Sequence, residues 1–189
     1  MVEHSDNTNN FAAIFNGNNL NDWQMAGQGK FVVLKGEGAL QSEGGMGLLW
    51  YTKKTYRNFI LKLDWKVSHK ADNSGIFVRF PYPDNDPMIA VNNGYEIQID
   101  DLAMPDGNPL HLTGAIYGFS PASKEIVSKE VGQWNTFEIQ VMDQKYIVIL
   151  NSKIVTEFVG NRSLIGYIGL QNHDRKSKVS FRSIRIKET

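Results

Sequence analysis

The stretch Phe59–Val67 reads FILKLDWKV and has a period of two along its whole length. All of its odd-numbered positions are large and apolar, and three of the four even-numbered positions are charged. Successive side chains of a β-strand point to opposite faces of the sheet. The pattern therefore predicts an antiparallel strand with one buried face and one solvated face.

The same period recurs further along the chain. Phe137, Ile139 and Val141 alternate with polar residues, and turn signals at residues 143–144 and 151–153 separate this stretch from two further apolar stretches. Short alternating stretches joined by such turns predict a meander of three antiparallel strands.

The last strand, at residues 178–187, breaks its alternation. A one-residue bulge near residues 182–183 would keep all of its apolar side chains in the core, namely Val179, Phe181, Ile184 and Ile186. We count eleven or twelve strands in total, with one short helix candidate at residues 123–129. So many short strands predict an all-β sandwich or barrel.

The composition suits one globular unit. The chain has 189 residues, of which 41% are hydrophobic, so we expect a single β-sandwich domain at residues 11–189 after a disordered tail at residues 1–10. Twenty basic and 20 acidic residues cancel, which gives no field to attract nucleic acid or an anionic membrane. We expect neither as a partner, and the oligomeric state stays open.

Cysteine is absent, which excludes disulfides, thiolate metal sites and a cysteine nucleophile. Residues 1–10 lack the basic start and the apolar stretch of a secretory signal. As written, the sequence predicts a cytoplasmic protein, or a periplasmic or secreted one if a leader has been removed.

The strand within residues 94–101, GYEIQIDD, has an unusual polar face. Glu96, Gln98 and Asp100 alternate with apolar residues and so form one row on that face. If a bulge interrupts the end of the strand, Asp101 joins the row instead of Asp100.

Two other strands have comparable faces. Arg79 shares a face of the strand at residues 73–80 with Gly75, and Gln171 and His173 share the polar face of a later strand. An ordinary solvated face explains any one of these strands alone. The three together favour a site for a polyol, because amides and carboxylates bind pairs of hydroxyl groups and Arg fixes one geometry.

Aromatic side chains near strand ends add to this interpretation. Tyr117 and Trp50 are candidates to pack against the C–H face of a sugar, although Trp50 in the core is the alternative. For Trp134 we expect core packing. The Asp84-Asn85-Asp86 cluster has oxygen ligands for calcium but lacks the pattern of an EF-hand. We predict no metal site and no cofactor, and leave a divalent cation as possible.

Several short motifs follow one another along nearly the whole chain. They are Phe15-Asn16-Gly17 with Trp23, Asn73-Ser74-Gly75-Ile76 with Arg79, Gly94-Tyr95-Glu96-Ile97-Gln98 with Asp101, Thr113-Gly114-Ala115-Ile116-Tyr117, and Gly166–His173. In this order they resemble the 3-keto-disaccharide hydrolase family, over about residues 11–187. The resemblance implies a bacterial protein with a concanavalin A-like jelly roll of two curved antiparallel sheets. It also implies action on glycosides whose glucose unit is oxidised at C3.

A weaker likeness concerns β-glucanases of the laminarinase type, which share this fold and carry Glu-x-Asp-x-x-Glu on one strand. Here Glu96, Gln98 and Asp101 occupy those positions. Retaining hydrolysis needs two carboxyl groups about 5–5.5 Å apart. The neutral Gln98 and the shorter Asp101 therefore disfavour that mechanism.

A 3-keto sugar offers another mechanism, in which a base removes the acidified C2 hydrogen and the C1 substituent leaves by elimination before water adds. Its requirements are one base and one group that stabilises the enolate. We predict His173 or Glu96 as the base, with Arg79 and Gln98 or Gln171 holding the sugar. Asp101 would protonate the leaving oxygen or orient His173. A non-catalytic, lectin-like binding module and an ordinary β-glucanase are the alternatives.

Overall fold

The computed structural model describes residues 10–123 and 127–189. In chain order its strands are β1 (Ala12–Ala13), β2 (Trp23–Gly27), β3 (Lys30–Leu34), β4 (Ala39–Glu43), β5 (Gly47–Tyr51), β6 (Phe59–Val67), β7 (Ser74–Phe80), β8 (Tyr95–Ile99), β9 (Asn135–Met142), β10 (Lys145–Leu150), β11 (Lys153–Val159), β12 (Tyr167–Asn172) and β13 (Val179–Glu188). A short helix, α1 (Met88–Asn93), precedes β8, and a 3₁₀ turn covers Pro109–His111.

The strands form two antiparallel sheets. The larger has the order β11-β10-β9-β6-β13-β4-β3, with β1 paired to β13, and the smaller has the order β2-β5-β12-β7-β8. The jelly-roll sandwich expected from the sequence is confirmed. In the smaller sheet only the β7–β8 pairing joins strands that are consecutive in the chain, so this sheet depends on long-range pairing.

The core lies between the two sheets. In β6 every odd-numbered side chain is buried and every even-numbered one is partly exposed, as the period of two predicts. The predicted meander is confirmed as the adjacent strands β9, β10 and β11. In β13 the register shifts between Arg182 and Arg185, and the four apolar side chains on either side of this bulge are all buried.

Some expectations were wrong. Within the described residues there are thirteen strands rather than eleven or twelve, and one of them, β1, has only two residues. The helix α1 was not predicted, whereas residues 124–126 of the helix candidate and residues 1–9 of the tail lie outside the described residues. Trp134 packs on the outer face of the larger sheet, with its ring centre 4.1 Å from the guanidinium carbon of Arg182. No helix in the described ranges is long and apolar enough to cross a membrane.

The outer face of the smaller sheet has two parts. Apolar side chains on β5 and β7 form a small cluster with α1, of which Trp50, Phe77, Phe80 and Ala90 are buried members. Beyond this cluster the same face is polar and open. The helix thus closes one side of the face and leaves the other side as a pocket.

Candidate active site

A cavity of about 330 Å³ lies on the polar part of this face. The strands β12, β7 and β8 are neighbours in the smaller sheet, so the polar residues on them and at their ends meet in one place. The polar side chains that these strands and the residues beside their ends contribute to the lining are Asn73, Glu96, Gln98, Asp100, Gln171, His173 and Asp174. The structure therefore brings together five of the polar residues that the sequence analysis singled out.

Glu96 is a buried acid in the cavity wall. Burial raises its pKa to about 8, although a hydrogen bond from Gln171 acts in the opposite direction. The charged form is disfavoured because water no longer solvates it. Gly75 makes room for this side chain, since a Cβ atom at residue 75 would lie 2.7 Å from Cγ of Glu96 and overlap its Oε1. Glu96 is therefore a protonated carboxyl group at neutral pH.

Two amides flank this carboxyl group. The amide nitrogen of Gln98 faces two acceptors. It donates to the Ser74 carbonyl at 3.2 Å and to Oε1 of Glu96 at 3.1 Å. The buried Oε1 of Gln171 has no hydrogen-bond partner among the described residues. A buried acceptor without a partner is costly unless a ligand or water supplies a donor. Gln171 thus brings an unsatisfied acceptor to the cavity wall.

Asp100 belongs to the row on β8, but its oxygens are already occupied. They accept hydrogen bonds from the backbone amides of Leu102, Ala103 and Met104, at 2.8–3.2 Å, and from the Asn73 side chain at 3.1 Å. Burial raises the pKa of Asp100, and the three backbone amides oppose this rise. Asp100 therefore shapes the loop that follows β8.

Asp101 lies outside the cavity, contrary to the sequence-based prediction. Its Oδ1 accepts hydrogen bonds from the hydroxyls of Thr113 at 2.6 Å and Ser128 at 2.7 Å. Because β8 continues without a bulge to Ile99, the alternation keeps Asp100 in the polar row and turns Asp101 away. The residue cannot protonate a leaving group or orient His173 from that position.

His173 is paired with the residue next to it. Its Nδ1 lies 2.8 Å from Oδ2 of Asp174. Burial alone would raise the pKa of Asp174, but hydrogen bonds from His173, Ser177 and Lys176 lower it to about 2. An ionised carboxylate only accepts hydrogen bonds, so Nδ1 carries the proton, and in the neutral ring Nε2 is left as an acceptor.

Arg79 does not reach the cavity, so its predicted place on the polar face was wrong. The register of β7 against β12 shifts at this residue, which has φ of 57°. This bulge turns Arg79 into the sandwich interior. There its Nε donates to the Arg57 carbonyl at 3.1 Å, and its guanidinium also donates to the Asp143 carbonyl and the Tyr146 hydroxyl.

The two aromatic candidates have different positions. Trp50 is buried in the apolar cluster, with ring centroids 4.8 Å from Tyr167 and 5.4 Å from Tyr82, so it offers no face to a sugar. Tyr117 lines the cavity. The segment at residues 113–117 runs beside the edge of β8, and the backbone amide of Tyr117 donates to the Glu96 carbonyl at 2.9 Å.

Sequence reasoning missed three polar members of the cavity wall, as well as its apolar members. Asn73, His111 and Asp174 line it, and none was proposed as a site residue. For Asp174 a signal existed, because a carboxylate directly after a candidate catalytic His is placed to fix its tautomer. For His111 none existed, because its loop reaches the cavity only through tertiary folding.

The structure gives the acidic cluster at residues 84–86 local roles. Asn85 Oδ1 accepts from the Gly27 amide at 3.1 Å, and Asp86 Oδ1 accepts from the Met88 amide at 2.9 Å, near the start of α1. Within residues 10–123 and 127–189, no group of three or more His, Asp and Glu side chains is arranged to hold a metal ion.

Comparison with known families identifies the family of this chain. A family model described as the 3-keto-alpha-glucoside-1,2-lyase-like domain matches residues 10–187. The chain belongs to this family. As a member of the 3-keto-alpha-glucoside-1,2-lyase-like family, it is a glycoside hydrolase-like protein that acts on carbohydrate.

Individual relatives are more distant. A 3-keto-disaccharide hydrolase from Bacteroides thetaiotaomicron is 24% identical, over 94% of this chain and 78% of the relative. The structure of a candidate glycosyl hydrolase from Parabacteroides distasonis is 29% identical, with a TM-score of 0.75 and coverage of 96% of this chain and 100% of that one. A carbohydrate-binding module from Bacillus subtilis, 13% identical, shares the fold with a TM-score of 0.65 and coverage of 90% and 98%.

Proposed function

We propose that this chain cleaves 3-keto-glycosides by removing the C2 proton, eliminating the C1 substituent and adding water. One observation carries the proposal. The same cavity is lined by a histidine held by a carboxylate, His173 with Asp174, and by a buried carboxyl group that stays protonated at neutral pH, Glu96. A base and a neutral acid are the pair that enolate chemistry needs.

His173 is the base in this proposal. Its Nδ1 is bound to Asp174, so Nε2 is the nitrogen that accepts the C2 proton, and the carboxylate stabilises the imidazolium that forms. A ketone at C3 makes this proton acidic, because the negative charge that forms at C2 delocalises onto the ketone oxygen.

Glu96 stabilises the enolate in place of Arg79, which is directed away from the cavity. A protonated carboxyl group donates a strong hydrogen bond to an oxygen that gains negative charge. Burial keeps Glu96 in this form and also strengthens the interaction. Gln98 donates to Glu96 and so orients it, whereas Gln171 and Tyr117 are placed to contact the sugar.

The proposed reaction balances as follows. The C2–H electron pair becomes the C1–C2 double bond as the bond between C1 and the leaving oxygen breaks. The C2 proton moves to His173, and the leaving oxygen then takes a proton from this imidazolium or from solvent. Addition of water across the double bond then gives the free 3-keto sugar, so the net reaction is hydrolysis.

Conventional β-glucanase hydrolysis has less support. It needs a second carboxyl group beside Glu96 at the scissile bond. Asp101 is outside the cavity, and the backbone amides of Leu102, Ala103 and Met104 tie Asp100 to the loop that follows β8. A binding module without catalysis has one observation in its favour, the fold shared with the Bacillus subtilis carbohydrate-binding module.

The test is to incubate the purified protein with a 3-keto-disaccharide and, separately, with the parent disaccharide, and to follow both by NMR in heavy water. We expect breakdown of the keto sugar alone, with deuterium incorporated at C2. A parallel reaction with EDTA tests for a divalent cation. Breakdown of the parent sugar would instead indicate two-carboxylate hydrolysis, and binding without turnover would indicate a binding module.

Variants assign the two roles. Glu96→Gln and His173→Asn should each lower turnover at least a hundredfold, since general acid–base groups contribute about 10²–10⁴ in rate. His69→Asn is the matched control, because His69 is exposed on a loop outside the cavity. Full activity of either site variant would remove that residue from the mechanism.

A further inference from the structure

The cavity has two chemically different parts. Its floor comes from the sheet and is polar. Its mouth comes from α1 and the connections between strands, and is formed by Met46, Met88, Val91, Met104, His111 and Tyr117. Four of these six side chains have no group that hydrogen-bonds well. A sugar ring fits the floor, but a second sugar would find few partners at the mouth.

Methionine dominates the mouth. The chain has six methionines, and three of them, from three separate segments, surround this one cavity. They are also solvent-exposed: Met46 by 55%, Met88 by 39% and Met104 by 61%. A flexible, polarisable thioether adapts to a planar ring and makes favourable contacts with aromatic groups. Three exposed methionines around a polar pocket therefore favour an apolar, planar ligand group.

An aromatic pair completes the mouth. The rings of His111 and Tyr117 are stacked, with centroids 4.6 Å apart and an angle of 21° between their planes. Tyr117 remains 38% exposed on the cavity side. Its position beside the floor is fixed by the hydrogen bond from its backbone amide to the Glu96 carbonyl. A further aromatic ring can extend this stack above the sugar.

The acidic groups of the cavity also favour an aromatic leaving group. Glu96 is assigned to the enolate oxygen, Asp100 is tied to its loop, Asp101 is outside, and Asp174 is the ionised partner of His173. Among the described residues that line the cavity, the imidazolium of His173 is then the acid that remains for a leaving alkoxide. A phenolate needs no such acid, because the pKa of a phenol is about 10. An alkoxide of a second sugar is a much stronger base and leaves less easily.

We infer that the group released from C1 is a phenol, so that the substrate class is 3-keto aryl glycosides. This inference rests on the proposed elimination. The sugar occupies the polar floor, and the aromatic aglycone lies at the mouth between the methionines and the His111–Tyr117 pair.

Kinetics provide the first test, with 3-keto-4-nitrophenyl glucoside of each anomer and a 3-keto-disaccharide as substrates. We expect kcat/KM for the better aryl substrate to be at least tenfold higher than for the disaccharide. The double variant Met46→Gln/Met104→Gln should reduce that ratio about tenfold. Met142→Gln is the control, because Met142 is comparably exposed but lies on β9, away from the cavity.

Binding provides a test that needs no turnover. In protein labelled with ¹³C at the methionine methyl groups, free 4-nitrophenol should shift the signals of Met46, Met88 and Met104 and leave that of Met142 unchanged. Shifts of Met142 alone, or of none of them, would overturn the inference.

The two proposals fail in different ways. Equal kcat/KM for aryl and disaccharide substrates, unaffected by the methionine variants, would overturn the aryl inference and leave elimination intact. Absence of turnover and of C2 exchange with both substrates would overturn the proposed function. If 4-nitrophenol still shifted the three methyl signals, the mouth would nevertheless be a binding site for an aromatic group.

Discussion

Glu96 is a carboxyl group that folding removes from water, and its chemistry follows from that single fact. An ordinary glutamate is ionised at neutral pH, but burial raises the pKa of Glu96 to about 8. For His173 the cause is a neighbouring charge instead of burial. The ionised Asp174 sets which nitrogen of the ring carries the proton. The surroundings of these two side chains thus set where each holds its proton, as the roles that we propose for them require.

The Glu96 carboxyl group makes stability depend on pH. Between its ordinary pKa of 4.5 and about 8, the folded protein keeps a proton that the unfolded chain releases, so stability falls as pH rises. The Glu96→Gln variant has no carboxyl group at this position and should not lose stability in this way. As pH rises through that window, the free energy of unfolding of the variant minus that of the original protein should increase by up to about 1.4 kcal/mol per pH unit. Urea unfolding of both proteins at pH 5, 6, 7 and 8 measures it, and parallel curves would contradict it.

Asp174 should act by positioning His173. Asp174→Asn keeps the size of the side chain but removes the negative charge that holds the proton on Nδ1. We expect kcat to fall by about 10- to 1000-fold with little change in KM, and ¹⁵N NMR to show a mixture of His173 tautomers. The control is Asp72→Asn, because the Asp72 carboxylate also lies beside a histidine, the exposed His69. An unchanged tautomer would show that the effect is only structural.

The candidate site lies on strands β7, β8 and β12. The pairing register of these strands decides which side chains face the cavity. Gly75 on β7 pairs with Gln98 on β8, and the missing side chain leaves the space that Glu96 fills. The bulge in β7 works at the same scale, because a single irregular residue turns Arg79 from the polar face into the interior.

Filling the space at Gly75 should displace the acid. Gly75→Ala places a methyl group 2.7 Å from Cγ of Glu96 and 2.8 Å from its carboxyl carbon, closer than packed atoms approach. We expect at least a tenfold loss of kcat and destabilisation of about 1–3 kcal/mol. Gly36→Ala is the control, because no atom lies within 4 Å of a Cβ at that turn. Equal activity of the two variants would show that Glu96 tolerates displacement.

At the scale of the whole molecule, Arg79 joins the two sheets. It starts on β7 of the smaller sheet and donates to the Tyr146 hydroxyl, on β10 of the larger sheet, at 3.1 Å. It also donates to the backbone carbonyls of Arg57 and Asp143. A fully buried guanidinium group with these partners is a structural element of the sandwich.

Loss of this guanidinium group should lower the stability of the protein but leave its catalytic activity nearly unchanged. Arg79→Met leaves two carbonyl groups without their donor, at a cost of about 1–3 kcal/mol each. We expect a loss of about 2–5 kcal/mol in urea unfolding, with kcat/KM of the folded variant within about threefold of the original. Arg185→Met, on the outer face of the larger sheet, is the control. A selective rise in KM would instead return Arg79 to the site.

The sequence by itself determined the all-β class, the pairing of the β9–β11 meander and the bulge in β13, because alternation and turn residues are local properties. It also determined the row on β8, since a period of two places Glu96 and Gln98 on one face. Only the tertiary structure decided that β12, β7 and β8 are neighbours, because strand order depends on contacts distant in sequence. Arg79, Asp101 and Trp50 left the predicted site for the same reason: register and burial, rather than residue type, set where a side chain points.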